Sequence, residues 1–392
     1  PIIKYVSAKN RKKKRIIKIK KKQWLNNYLD ATKYKDIDLI VELIGGAEGP
    51  AKKLVFNALK NKKHVVTANK ALIAKYGDQL SRIAEKNKVN LEFEASVCGG
   101  VPIIRSLKEG LIANKISKIY GIFNGTSNYI LSSMDKQKKS FNDVLSNAKK
   151  LGYAESNPSA DLNGDDVSSK LKILSSLCFS SFLNNNIYVE GIKNIDRVDI
   201  DNANKLGYKI KLLGFAELLD NKIYQRVHPT LIKKESYVAS IDGVLNAVIV
   251  DGKPVGQSTI QGEGAGPAAT TSALVSDISS ISRGNIKFPF SLSSKERKKL
   301  RFTDIEERFF SAYLRFEVLD KPGVLSNITR IFSKHKVSIK RLVQNPDRNK
   351  KSSSIIIITH ESKDKFLKKV LKEVSRKKYI KNNSKLIRID NS

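Results

Sequence analysis

Between residues 38 and 97 short apolar runs alternate with longer stretches whose apolar positions recur every three to four residues. DLIVELI (38–44) is a short apolar run closing on Gly45-Gly46, as a buried parallel strand does at its ligand-facing turn. Pro50 suits a first helical position, and AKKLVFNALKN continues as a helix. HVVTANK is a β-branched strand running into a turn, KALIAKYGDQLSRIAEKN a helix, and VNLEFEASV a further strand. Residues 1–7 read as a strand ahead of them. Strand, helix, strand, helix, strand is the rhythm of a doubly wound α/β sheet.

Further on, ISKIYGIFNGTSNYIL predicts a strand and an Asn-Gly turn, and FNDVLSNAKKLG a helix ending near Gly152. The polar loop AESNPSADLNGDD leads into a second helix, DVSSKLKILSSLCF. From 203 to 250 the pattern predicts a helix over ANKLGYKIKLLGFAEL, then the strands KIYQRVHPTLI and SYVASIDGVLNAVIV. Their alternation suggests a half-exposed antiparallel sheet, a natural dimer surface. His228, beside Pro229 at a strand end, reads as structural. QGEGAGPAATTSALVSDI (261–278) is a Gly-rich turn opening a helix, and 283–310 is a charged, irregular linker. From 311 the order is strand, D-K-P-G turn, helix, strand, lysine-rich hairpin, strand, helix, strand: βαββαβ.

A chain of 392 residues prompts two or three domains. No run of about 18 apolar residues suggests a membrane span, and PIIKYVSAKNRKKKR has no secretory apolar core. Cys98 and Cys178 lie far apart, in neither metal-ligand nor disulfide spacing. A cytoplasmic protein is expected. Lys and Arg number 73 against 38 Asp and Glu, a net +35. That charge attracts polyanions of any kind. Yet lysines spread over the whole length without interleaved aromatics, so neither a nucleic-acid partner nor a membrane is expected. The basic run from 9 to 22 reads as a solvated loop or as a patch near a cofactor phosphate.

The candidate chemistry centres on residues 148–170. Glu155, Asp161, Asp165 and Asp166 crowd a loop with Pro158 and Gly164, and Lys170 follows Asp166 by four, on the same side of the helix. Such a pair can move protons and hold a small polar substrate; taken alone it reads first as a solvated ion pair capping a helix, since such surface pairs are common. Thr67, Asn69 and Lys70 lie just past a strand's carboxyl end, where ligands bind in open α/β sheets. In EASVCGGVP (94–102) two glycines ahead of Pro102 let carbonyls turn inward, and with Glu94 they form a nest for a hard monovalent cation. Gly262, Gly264 and Gly266 let backbone approach a ligand at a helix N-terminus, which favours an anion.

Position by position, the stretch from Ala148 through Gly152, Tyr153, Ala154, Asn157-Pro158, Asp161, Leu162, Gly164 and Asp166 to Lys170 is similar to the signature of homoserine dehydrogenases. The T-A-N-K-A-L run at 67–72, the G-I-F-x-G-T-x-N-Y-I-L run at 121–131 and the G-x-G-A-G at 262–266 resemble the same family, and the βαββαβ unit resembles an ACT domain. The resemblance implies interconversion of L-homoserine and L-aspartate 4-semialdehyde with NAD or NADP. It implies a Rossmann-like domain at 1–93, a catalytic domain at 94–282 returning to the cofactor at 262–282, and an ACT domain at 311–392. Lys170 is then the acid/base and Asp166 its orienting partner, while Lys70 assists and touches cofactor. Glu155 holds the substrate ammonium and Asp161 supports it. Gly45, Gly46, Gly262, Glu263 and Gly264 bind cofactor. A sodium ion sits at the Glu94 side chain and the carbonyls of Val97, Gly99 and Val101. A lysine serves as base if burial and a neighbouring charge lower its pKa, and the repulsion between Lys70 and Lys170 favours one neutral amine. An amino-acid effector at the Lys321-Pro322-Gly323 turn and a homodimer or homotetramer are further expectations.

One departure stands out. No G-x-G-x-x-G precedes residue 38, so the first strand–turn–helix unit of the Rossmann fold is expected to be missing. This leaves a second reading, a catalytically impaired fragment that senses an amino acid. The choice between NAD and NADP stays open, with the basic run 11–22 leaning toward NADP.

Overall fold

The computed structural model describes residues 1–347, 352–381 and 384–390. A three-stranded parallel sheet, Leu39–Glu42, His64–Thr67 and Leu91–Glu92, is joined by the helices Pro50–Lys60 and Lys70–Asn87. Its strands end together, so Glu42 and Thr67, adjacent in register, bring the turns that follow them to one edge. Residues 1–7 are not a strand of this sheet. They make one isolated bridge, Val6 to Trp24, and the basic loop between folds back with Arg11 and Arg15 over the Trp24 ring.

Nine strands of a twelve-stranded sheet run in the order 339–347, 352–359, 309–319, 385–390, 222–233, 208–219, 115–122, 245–253, 256–263. The C-terminal βαββαβ unit therefore continues the central sheet edge to edge, with Arg388, Ile389 and Asp390 parallel to Thr230, Leu231 and Ile232. The lysine-rich hairpin read from the sequence falls largely on 348–351, outside the described residues. Among the described residues, no helix is long and apolar enough to cross a membrane.

Two sequence readings change here. The stretch after Ala203 is not one helix: Arg197–Lys205 stops at Gly207, whose φ of +87° breaks the helix, and Tyr208–Leu219 is a strand. Nor is the sheet half-exposed. From Ile210 to Ala216 every residue is buried. One face packs with Val167, Leu171 and Ile200 from the helices beneath; the other packs with Val238, Ile241, Ile305 and Phe310. A strand covered on both faces carries an almost unbroken apolar run, which periodicity cannot tell from a buried helix. The 283–310 stretch is irregular as read, yet it is strapped down. Phe290 is fully buried against Phe93, a burial that stabilises by roughly 2–3 kcal/mol. Arg297 bonds Asp78, Ser176 and the Ser181 carbonyl.

Candidate active site

The helix Asp165–Cys178 starts at Gly164, whose φ of +88° lets the loop turn sharply into it. Four residues of separation place Asp166 and Lys170 on one face, and that face points inward. Both are buried, and Lys170 Nζ lies 2.8 Å from Asp166 Oδ2. The other Asp166 oxygen, Oδ1, lies 2.7 Å from Lys70 Nζ. One carboxylate thus bridges two ammonium groups brought together from residues a hundred positions apart. Lys70 keeps 43% of its side chain in solvent against 9% for Lys170, so the site opens on the Lys70 side.

Each member is held by backbone chemistry. Lys70 opens the helix Lys70–Asn87, whose N-cap Asn69 accepts from the Leu72 amide at 3.0 Å and donates to the Gly46 carbonyl at 2.8 Å. The Asn69 amide bonds Thr67 Oγ1, which donates to Glu42 Oε2 at 2.6 Å; Glu42 Oε1 accepts from the Ile44 and Gly45 amides. The fully buried Glu42 thereby ties the turn at Gly45-Gly46 to the turn bearing Lys70. On the other side, Lys170 donates to the Phe123 carbonyl at 2.7 Å. Asn124 donates to Asp161 Oδ1 at 2.7 Å and to Asp166 Oδ2 at 2.8 Å, while its Oδ1 caps the helix Gly125–Gln137 through the Ser127 amide. The Asn124-Gly125 pair is therefore a helix start, not a hairpin turn; the capping asparagine wins because Thr126, Ser127 and Asn128 continue helically rather than as a returning strand.

Charge states follow from this packing. Burial works against the Asp166 charge, but Lys170 and Lys70 outweigh it and hold the carboxyl far below its ordinary range. Burial likewise works against the Lys170 ammonium, and Asp166 outweighs it, so Lys170 is held above the usual lysine range. The expectation of a lysine lowered by its surroundings is overturned: a carboxylate sits between the two amines and cancels their repulsion. Asp161 is raised, mainly by burial, with Asp166 adding to it. The arrangement is a protonated, buried donor on a fixed carboxylate, beside a mouth marked by a second amine.

The other predicted residues fall in two groups. Gly45 and Gly46 adopt φ of +84° and +79°, and the space where a Cβ would stand on Gly45 is open. The 262–264 segment packs onto the 98–101 turn. The Gly100 amide donates to the Glu263 carbonyl at 2.8 Å, a Cβ on Gly262 would press on the Gly100 carbonyl, and one on Gly264 would strike Asn246. The Glu263 side chain faces solvent. Glu94 is buried and accepts from the Ile104 and Arg105 amides at 2.9 and 2.7 Å, at the start of the turn after Pro102. Burial and neighbouring Asp277 push Glu94 up to about 7, and Asp277 rises to about 6 through burial first and Glu92 second. The Val101 carbonyl accepts from Ile103, while Val97 and Gly99 lie in the same turn. Glu155 is exposed and, among the described residues, makes no hydrogen bond or ion pair. Its loop is tethered two residues earlier, where Thr126 Oγ1 donates to the Tyr153 carbonyl at 2.6 Å. Asn124, the Phe123 carbonyl and Glu42 escaped sequence reasoning. Only Glu42, an acid inside an apolar strand, carried a legible signal.

Comparison with known proteins matches three family models to the chain: "Homoserine dehydrogenase, NAD binding domain" at 3–94, "Homoserine dehydrogenase" at 102–279 and "ACT domain" at 312–377. The homoserine dehydrogenase of Neisseria gonorrhoeae is 42% identical over 86% of this chain and 79% of its own length; that of Helicobacter pylori is 40% identical over 91% and 84%. Among solved structures, a homoserine dehydrogenase from Thiobacillus denitrificans matches with a TM-score of 0.87 at 39% identity, over 94% of this chain and 85% of that one. A hyperthermophilic archaeal homoserine dehydrogenase, solved in complex with NADPH, matches with 0.59 at 26% identity over 67% and 76%.

Proposed function

The chain belongs to the homoserine dehydrogenase family, an NAD(P)-dependent oxidoreductase family, and from that premise we propose that Lys170, held charged by Asp166, carries the proton while L-homoserine and L-aspartate 4-semialdehyde interconvert. The observation behind this is the single buried carboxylate bridging Lys170 at 2.8 Å and Lys70 at 2.7 Å.

The residues present suit a dinucleotide. The turns at Gly45, Gly46 and Gly49 follow the end of a parallel strand, and Gly45, Gly49 and Gly266 combine positive φ with open space where a Cβ would stand. Gly45, Gly46, Lys70 and the Gly262–Gly264 segment, with Glu263, would hold it, and the nicotinamide when bound supplies or accepts the hydride at the substrate carbon. The exposed basic loop at 11–22 and the NADPH-bound archaeal relative favour NADP. In aldehyde reduction Lys170 gives its proton to the carbonyl oxygen as the C–H bond forms, so the charge that would build on oxygen is quenched. In homoserine oxidation the hydroxyl proton moves to neutral Lys170. Asp166 fixes the Lys170 side chain in place in both directions, and Asn124 keeps Asp166 and Asp161 in one orientation.

Glu155, exposed and without a hydrogen bond or ion pair among the described residues, would meet the substrate ammonium, with Asp161 in the supporting role. Glu155→Gln is expected to raise KM for homoserine about tenfold with kcat within about twofold, the signature of lost uniform binding. Steady-state kinetics check this, and an unchanged KM would remove Glu155 from the site.

A sodium ion suits the Glu94 turn because Glu94 and Asp277 are buried acids raised by burial despite Arg105, 3.3 Å from Asp277, and the nearby Lys108. Glu94 and the carbonyls of Val97, Gly99 and Val101 would hold it. Acids raised in the folded state contribute stability that is full below their ordinary values of 4.5 and 3.8 and is lost as pH rises through about 7 and about 6. Sodium should therefore raise the Tm above that in choline chloride of equal ionic strength at pH 8, and not at pH 5. Equal Tm values at pH 8 would count against the site. An amino acid at the Lys321-Pro322-Gly323 turn and assembly as a homodimer or homotetramer complete the reading.

A further inference from the structure

The loop bearing Asp161 and Asp166 does not rest on solvent. The Leu162 carbonyl accepts from the Ile192 amide at 2.9 Å, and a Cβ on Gly191 would collide with that carbonyl and with the Asn163 backbone. Gly164, the pivot before Asp166, packs so closely on Val189 and Val227 that a Cβ there would lie 3.1 and 3.2 Å from their methyls. The 188–192 segment is thus the floor of the loop. It is itself a short strand, Tyr188 and Val189 beside Arg226 and Val227, and the Glu190 amide donates to the Val227 carbonyl at 2.8 Å.

What fixes this floor comes from the far end of the chain. Arg388, on the strand Lys385–Asp390, is almost wholly buried. Its Nε and Nη2 fork onto Asp364 at 2.6 and 3.1 Å, its Nη1 donates to Glu190 Oε2 at 3.1 Å, and its Nη2 reaches the Tyr188 hydroxyl at 3.3 Å. Tyr188 in turn donates to Glu190 at 3.0 Å, and the guanidinium lies 4.8 Å from the Tyr188 ring centre. Burial opposes the guanidinium charge, but Asp364, Tyr188 and Glu190 overcome it and Arg388 stays cationic. Planar, buried and multiply bonded, this arginine has one low-energy position. Asp364 opens the last helix, Asp364–Ser375, so the anchor of Arg388 within the C-terminal unit is set by that unit's own folding.

We propose that Arg388 is a positioning residue for the reaction, and that through Glu190 and the 188–192 floor the C-terminal unit sets the loop presenting Asp161 and Asp166. The proposal rests on the reading of those acids as parts of the substrate site. The chain of contact is continuous: Asp364 to Arg388, Arg388 to Glu190, Glu190 through Gly191 and Ile192 to Leu162, and Leu162 to the acids on either side of it in sequence. It also makes the substrate site answer to whatever alters the last strand and helix.

Glu190 is the place to cut, because it is partly exposed and Arg388 keeps its fork on Asp364 without it. In the full chain, Glu190→Ala should speed amide hydrogen exchange across 159–168 about fivefold, and raise KM for homoserine about fivefold with the KM for NAD(P) unchanged. Glu190→Gln, which still accepts from Arg388 and Tyr188, should restore both toward wild type. Unchanged exchange across 159–168 would overturn the proposal. So would faster exchange with an unchanged homoserine KM in a protein whose Asp166→Asn variant has lost turnover. Retained turnover in Asp166→Asn would instead strike the reading of the acids, and the exchange measurement alone would then decide the link.

Discussion

Lys170→Ala is expected to lower kcat by about 10^2 to 10^4 in both directions while leaving the KM values for homoserine and NAD(P) within a few-fold. The range is what a positioned proton donor contributes. The asymmetry between kcat and KM follows from geometry: Lys170 is buried against Asp166, whereas the half-exposed Lys70 opens the site to solvent. The fold should tolerate the change. Asp166 keeps Lys70 at 2.7 Å and the Asn124 amide at 2.8 Å, so no buried carboxylate is stranded. Steady-state kinetics on a variant with a wild-type circular dichroism spectrum checks it; kcat within tenfold of wild type would be incompatible with the assignment.

Asp166→Asn should cost nearly as much for a different reason. The amide keeps the size of the carboxylate but removes the charge that opposes desolvation at Lys170. Burial and the nearby Lys70 then both disfavour the Lys170 ammonium, and its pKa falls. The alkaline limb of the aldehyde-reduction profile should move to lower pH, and reductive kcat at pH 8 should drop about 100-fold. Stability should follow the opposite half of linkage from Glu94. A depressed carboxyl contributes stability that is present above its ordinary value of 3.8 and disappears as pH falls through its folded-state value. The stability gap between wild type and Asp166→Asn should therefore be widest from about pH 5 upward and close in strong acid. A pH–rate profile and denaturation at two pH values test both parts; an unmoved alkaline limb would contradict the electrostatic role.

What the sequence carried and what it withheld divide along contact range. The parallel strands, their helices and the βαββαβ unit were legible because each is written in local periodicity and punctuated by Gly45, Pro50 or Pro322. Asp166 and Lys170 were legible as a pair because four residues make one helical turn. Their burial was not, since Phe123, Asn124 and Lys70 arrive from other elements. The sign of the Lys170 shift depended on that arrival: two lysines and a carboxylate in one sequence do not say which lies in the middle. Tyr208–Leu219 was misread because a doubly covered strand loses its alternation. Glu94 offered a carboxylate to the eye, but only the fold shows its oxygens turned to the Ile104 and Arg105 amides. The Arg388–Glu190 link, spanning nearly two hundred residues, left no local trace at all.

The central claim is that the proton of the reaction belongs to the Lys170 ammonium, and amine rescue tests it most directly. Initial rates of aldehyde reduction by Lys170→Ala would be measured with ethylammonium and, at matched ionic strength, with tetramethylammonium, which has no proton to give. The account predicts a slow variant whose rate climbs with ethylammonium and ignores tetramethylammonium. A variant that turns over at the wild-type rate with neither would contradict it.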